Sequence, residues 1–137
     1  MTRSVEDDNR RMLRARDAMD RDFALPLDVP TLASVAAVSE AHFIRSFRAT
    51  FGETTHRYLQ RRRIERAMHL LRTTDHNVTD ICMVVGFSSL GTFSRTFTAI
   101  VGETPSRFRT RGPMPGSPSR FVPSCFVKTW VRPSSFG

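Results

Sequence analysis

The side chains with the greatest chemical reach in this 137-residue chain are its arginines. Between Ala41 and Thr74 stand eight of them against only Glu53 and Glu65. A guanidinium is permanently charged and presents a planar fork of donors, which matches a phosphate or the O6/N7 edge of guanine. Two arginines, Arg45 and Arg95, recur at the same place in a pattern that is spaced by fifty residues. No other chemistry competes. There is no Ser/His/Asp, Cys/His or paired-carboxylate constellation, so no enzyme is expected. His56, His69 and His76 are too scattered for a metal site, and Cys82 and Cys125 lack metal or redox spacing. No cofactor is implied.

An arginine run alone is equally consistent with a solvated helix face, so the elements that carry the run decide its meaning. Residues Thr55 to Thr73, THRYLQRRRIERAMHLLRT, contain no Gly or Pro, and Ile64, Ala67, Met68 and Leu71 recur at i, i+3, i+4 and i+7. This predicts one amphipathic helix with Thr55 as its N-cap and with Arg62 and Arg66 on the opposite face. Nineteen residues make a rod of roughly 28 Å.

The two flanks of the rod resemble each other. Ser39–Thr54, SEAHFIRSFRATFGET, aligns without a gap on Ser89–Thr104, SLGTFSRTFTAIVGET, and eight of the sixteen positions are identical. Each copy reads as one helix with a Ser N-cap, two inward Phe at i and i+4, and a Gly stop. Phe43 and Phe47 turn inward in the first copy, Phe93 and Phe97 in the second. A short apolar helix precedes each copy, Thr31–Ala37 and Val78–Val85, and a tight connection joins the pair. A short helix, a turn and a second amphipathic helix describe a helix-turn-helix. Fold class is therefore all-α: a twin helix-turn-helix domain with a long linker helix between the two units.

Geometry gives the two units a purpose. Successive major-groove faces on one side of B-DNA lie about 34 Å apart. A rod of roughly 28 Å can set two recognition helices near that separation, so a single chain, as a monomer, could bind double-stranded DNA as a dimer does. Net charge of +8 and an isoelectric point near 11.3 favour such a polyanion. Of 21 basic residues, Lys128 is the only lysine, which reflects a GC-rich genome as much as a choice of bidentate donors.

The outward residues of each recognition helix are the candidates for base contact. In the first they are Ala41, His42, Ile44, Arg45 and Arg48; in the second Leu90, Gly91, Thr92 and Arg95. Arg45 and Arg95 lead both sets. For Ile44 and Leu90, packing on a neighbouring helix and contact with a thymine methyl are both open. Gly91 brings no side chain to the groove. Arg61, Arg62, Arg63 and Arg66 are expected on phosphates, as are the helix N-termini near Thr31 and Thr79.

Residues 1–9 read as a flexible N-terminus and 10–111 as the folded domain, whose first helix spans Arg10 to Asp22 with Met12, Ala15 and Met19 on one face. Pro30 suits the first turn of the next helix. Thr104 can cap a short final helix with Pro105 at its start, Phe108 closing the core and an end near Arg111. Residues 112–137 open as a Pro/Gly/Ser linker and turn apolar at Phe121, Val122, Phe126, Val127, Trp130 and Val131. They are expected to be disordered, or to be sequence read past the natural end of the gene. The N-terminus has no apolar stretch of signal-peptide type and no run approaches a membrane span, which places the chain in the cytoplasm, on the nucleoid. Cys82 reads as an inert core thiol.

These residues resemble the AraC/XylS family of bacterial transcription regulators. The resemblance is carried by Gly86-Phe87, Thr92-Phe93-Ser94-Arg95, Phe97, Gly102, Thr104-Pro105-Ser106 and Phe108-Arg109. Leu32-Ala33, Val38-Ser39, Phe43, Arg45, Phe47 and Gly52 agree in the first half, and Arg63, Ala67, Leu70 and Leu71 in the linker helix. It covers about Met12 to Arg111. It implies seven helices that bind an asymmetric site through two adjacent major-groove segments, with base contacts at Ala41, Ile44, Arg45, Leu90, Gly91, Thr92 and Arg95. Family members usually act as activators and help recruit RNA polymerase. Most carry a separate effector or dimerisation domain, so this chain resembles the stand-alone members or a truncated remnant of a larger regulator. The alternative function is a basic module that binds DNA without sequence preference, or binds an acidic protein; it predicts equal binding to random and preferred duplexes.

Overall fold

The computed structural model describes residues 2–112, which form seven helices and no strand. The helices are α1 (Thr2–Asp22), α2 (Val29–Ala36), α3 (Glu40–Phe51), α4 (Thr55–Thr73), α5 (Val78–Val84), α6 (Leu90–Val101) and α7 (Pro105–Arg111). The apolar stretch from Phe121 to Val131, and Cys125, lie outside the described residues. The chain divides into two compact units, Met1–Arg63 and Ile64–Gly137, with the boundary inside the continuous helix α4.

In the first unit the core gathers Met12, Ala15 and Met19 of α1, Leu32, Ala33 and Ala36 of α2, Phe43, Phe47 and Phe51 of α3, and Tyr58 and Leu59 of α4. Phe47 is its hub. Its ring lies 5.6 Å from Phe43, 4.7 Å from Phe51 and 5.8 Å from Tyr58, in tilted or edge-on geometries that suit ring quadrupoles. In the second unit Ile64, Ala67, Met68 and Leu71 meet Ile81, Cys82, Val85, Phe87, Phe93, Phe97, Val101 and Phe108. Here Phe97 is 5.7 Å from Phe93 and 5.6 Å from Phe108. The i, i+3, i+4, i+7 stripe of α4 is thus the floor of the second core. Burial pushes the Cys82 thiol up, which keeps it protonated and inert.

Side-chain oxygens open the helices. Ser39, Ser89 and Thr104 accept from the amides of His42, Thr92 and Arg107, and Asn77 from that of Asp80. Two boundaries differ from expectation. The cap of α4 is Thr54, whose Oγ1 accepts from Arg57 N at 3.1 Å and whose carbonyl accepts from Tyr58 N, so that Thr55 is already the first helical residue. And α1 reaches back to Thr2 instead of beginning at Arg10. No apolar stripe runs through Ser4 to Arg10, so the cause is polar. Arg10 pairs with Asp7 at 3.3 Å, and Asp8 is tied to His42 on α3.

The connection between helices is alike in both units. After α2, Ala37 adopts φ 60°, and the amides of Ala37 and Val38 donate to Ser34 O and Ala33 O. After α5, Gly86 adopts φ 106°, and the amides of Gly86 and Phe87 donate to Met83 O and Cys82 O. The left-handed turn sends the chain sharply into the recognition helix, the geometry a helix-turn-helix requires.

Candidate nucleic-acid interface

Helix α3 divides into three stripes. Phe43, Phe47 and Phe51 are buried, while Ala41, Ile44, Arg45 and Arg48 are exposed along a second stripe. The third carries His42 and Ser46, which face α1. Ile44 is 53% exposed, so it is not packed against a neighbouring helix. Helix α6 repeats the division: Phe93, Phe97 and Val101 are buried, and Leu90, Gly91, Thr92 and Arg95 are exposed. Leu90 is 44% exposed. The Arg95 guanidinium folds back over the start of its own helix. It donates to Thr92 Oγ1 at 3.4 Å, and a Cβ added to Gly91 would lie 3.4 Å from its Nη1.

The structure corrects the arginine run. Arg61 was expected on phosphate but is 4% exposed, with Nε donating to Glu53 Oε1 at 3.2 Å and Nη2 to Glu53 Oε2. A buried, paired guanidinium cannot reach a duplex. Arg62 and Arg63 are also committed inside the first unit. Arg62 Nε donates to Asp20 at 2.9 Å, and Arg63 donates to the carbonyls of Phe23 and Leu25 at 2.7 and 3.0 Å. Tyr58 donates to the same Asp20 oxygen, and burial pushes its phenol far up, so the hydroxyl stays a donor. The spacing of 61, 62 and 63 places them around the helix, but acceptors eight to forty-two residues away decide where their forks go. Arg66 alone of the four is exposed.

Two further expectations are corrected. The amide of Thr31 is taken by Asp28 Oδ1 at 3.0 Å, and the hydrogen bonds from Thr31 hold the Asp28 carboxyl below its usual range. An ionised carboxylate therefore occupies the anion position at the start of α2, where a phosphate was expected. His42 is not an outward base reader: its Nε2 donates to Asp8 Oδ1 at 2.6 Å and lies 3.3 Å from Ser46 Oγ. Thr79 is exposed in the first turn of α5. Sequence reasoning passed over Arg57 and Arg107, exposed and three residues beyond the Thr54 and Thr104 caps. The fifty-residue offset, carried three residues further, would have found them.

Two helix-turn-helix units, each with a capped recognition helix bearing an exposed stripe, define a twin helix-turn-helix protein. A family model described as a helix-turn-helix domain matches residues 32–111. PqrA of Proteus vulgaris, described as a probable transcription factor, is 35% identical over 89 residues, covering 65% of this chain and 73% of PqrA. The regulatory protein SoxS of Salmonella typhimurium is 34% identical over 93 residues, 68% of this chain and 87% of SoxS. An uncharacterized HTH-type transcriptional regulator of Staphylococcus aureus is also 34% identical over 93 residues, but the match spans only 12% of its length. Among solved structures, the DNA-binding domain of AdpA in complex with a target DNA superposes with a TM-score of 0.70 at 27% identity, covering 73% of this chain and 90% of that one. An AraC-type regulator from Chromobacterium violaceum gives 0.71 at 28%, covering 77% and 95%. The chain belongs to the AraC/XylS-type helix-turn-helix family of DNA-binding transcription regulators.

Proposed function

We propose that this protein binds an asymmetric DNA site as a monomer and activates transcription from it, with α3 and α6 each reading a major-groove segment. Bases are read by Ala41, Ile44, Arg45 and Arg48 on α3, and by Leu90, Gly91, Thr92 and Arg95 on α6. Arg66, Arg57, Arg107 and the Thr79 hydroxyl hold phosphates, which position the protein without carrying sequence information. The observation that carries this reading is that Arg45 and Arg95 stand exposed at the same register of two recognition helices, each of which buries a phenylalanine face. Recruitment of RNA polymerase by the bound protein, and residence on the nucleoid in the cytoplasm, complete the proposal.

Two substitutions separate the roles. Arg45→Ala should cost about 1–3 kcal/mol on a preferred site and relax preference at one base pair. Arg66→Ala should weaken all duplexes alike and lower the salt slope by about one. Identical behaviour of the two variants would overturn the assignment. A second reading has one observation in its favour. Leu90 and Gly91 bring few hydrogen-bonding groups to α6, so that helix could act as a phosphate clamp while α3 alone reads sequence.

A further inference from the structure

The N-terminal half of α1 has no apolar stripe to hold it down. Ser4 to Asp7 are exposed, and the first buried residue of the helix is Met12. Two polar contacts fasten it to the first helix-turn-helix. Arg11 Nη1 donates to the carbonyls of Ala36 and Ala37, at 3.2 and 3.1 Å. The other is Asp8, which meets His42 and Ser46 on the recognition helix itself. An open cleft of about 740 Å³ runs alongside, lined by Asp7, Asp8 and Arg11 from α1 and by His42, Ser46 and Thr50 from α3. The imidazole side chain is 42% exposed, so protons reach it from solvent.

We propose that the Asp8–His42 contact is a proton-coupled latch, through which protonation of His42 strengthens DNA binding by the first recognition helix. The inference rests on the DNA-binding reading above. The charged groups that share the cleft with His42 are Asp7, Asp8 and Arg11 of α1; the Ala37–Val38 turn brings no charge, and Glu40 and Arg45 are its charged sequence neighbours on α3. Among these, histidine is the type that changes charge between about pH 5 and 8. With a neutral imidazole, the Asp8 carboxylate is offset by Arg11 alone, beside a helix that must approach a row of phosphates. With an imidazolium, the pair carries no net charge and its hydrogen bond becomes an ion pair. DNA therefore favours the protonated pair, and by linkage the complex takes up a proton as it forms.

The test is duplex affinity of the full chain at about pH 5.5 and about pH 8 at fixed salt, for the native protein, His42→Gln and Asp8→Asn. Glutamine keeps a donor for Asp8 but does not titrate, and asparagine keeps an acceptor without the charge. The native protein should gain roughly three- to tenfold more affinity at the lower pH than His42→Gln does, the scale of one charge within a Debye length of the duplex. Asp8→Asn should bind at the higher pH about as tightly as the native protein does at the lower. Equal pH dependence in native and His42→Gln would overturn the latch and assign the effect to His56, His69 or His76, while leaving DNA binding intact. An Asp8→Asn variant no tighter than native at the higher pH would also overturn it. Absence of duplex binding at both pH values would overturn the latch and the DNA-binding reading together.

Discussion

Arg61 and Glu53 form a buried ion pair, both of its side chains less than a tenth exposed, at the point where the first recognition helix gives way to α4. Fifty residues on, Arg111 pairs with Glu103 at 2.6 Å in the second unit, partly exposed. Each pair ties the loop after a recognition helix to the helix that follows. Removing one partner of a buried pair leaves an uncompensated charge. Arg61→Ala should therefore cost about 3–5 kcal/mol in urea unfolding, while Arg111→Ala, in the wetter pair, should cost about 1 kcal/mol or less. Equal losses would refute this account of the two pairs.

Arg109 holds the far end of α4. Its Nε donates to Leu71 O at 3.0 Å, Nη2 to Thr74 O at 3.0 Å and Nη1 to His76 O at 2.7 Å. Three carbonyls, one in the last turn of α4 and two just beyond it, meet one planar fork, which a lysine ammonium cannot reproduce. Arg109→Lys should be destabilised by roughly 2 kcal/mol, close to the loss in Arg109→Ala. Thermal unfolding that shows lysine near native would mean that charge, not the fork, matters.

Ala37 has φ 60°, and among the described residues it is the one non-glycine at positive φ. Gly86 holds the equivalent turn at φ 106°. An L-residue in the left-handed region costs about 1–2 kcal/mol, partly offset by the greater flexibility of glycine in the unfolded chain. Ala37→Gly should be neutral or stabilising by up to about 1 kcal/mol, and Gly86→Ala destabilising by about 1–2 kcal/mol. Denaturant midpoints of the two variants moving in the same direction would contradict the shared turn.

Stability should fall in acid through identifiable carboxylates. The hydrogen bond from His42 holds the Asp8 carboxyl below its usual range, and the bonds from Thr31 do the same for Asp28. A lowered carboxyl stabilises the fold above its unfolded range, and that contribution is lost as pH falls through the lowered value, below about pH 4. Urea midpoints taken from neutral to acid pH should therefore drop less in Asp8→Asn and Asp28→Asn than in the native chain. An unchanged acid limb would show that other groups dominate it.

Much of this fold is legible because its signals are local. The α4 stripe Ile64, Ala67, Met68 and Leu71, the serine caps Ser39 and Ser89, and the inward pairs Phe43/Phe47 and Phe93/Phe97 all follow from spacing along one helix. The repeat runs further than identity reveals. Tyr58 and Phe108 close the two cores at the fifty-residue offset, while Ala37 and Gly86 match at forty-nine because the second turn is one residue longer. The fates of Arg61, Arg62 and His42 were not legible. Each is settled by a partner on another segment, Glu53, Asp20 or Asp8, which periodicity does not locate. The start of α1 is hidden from the sequence for the same reason, since its first turns rest on a tertiary hydrogen bond between Asp8 and His42 and not on an apolar face.

Selection of bound duplexes from a random library, at two salt concentrations, tests the central claim most directly. Two recognition helices that read DNA should enrich one asymmetric motif with two informative blocks about one helical turn, or roughly 10 base pairs, apart, and the motif should persist at the higher salt. Binding that enriches no motif and collapses as salt rises would contradict it, and would leave a basic domain that holds phosphate without reading sequence.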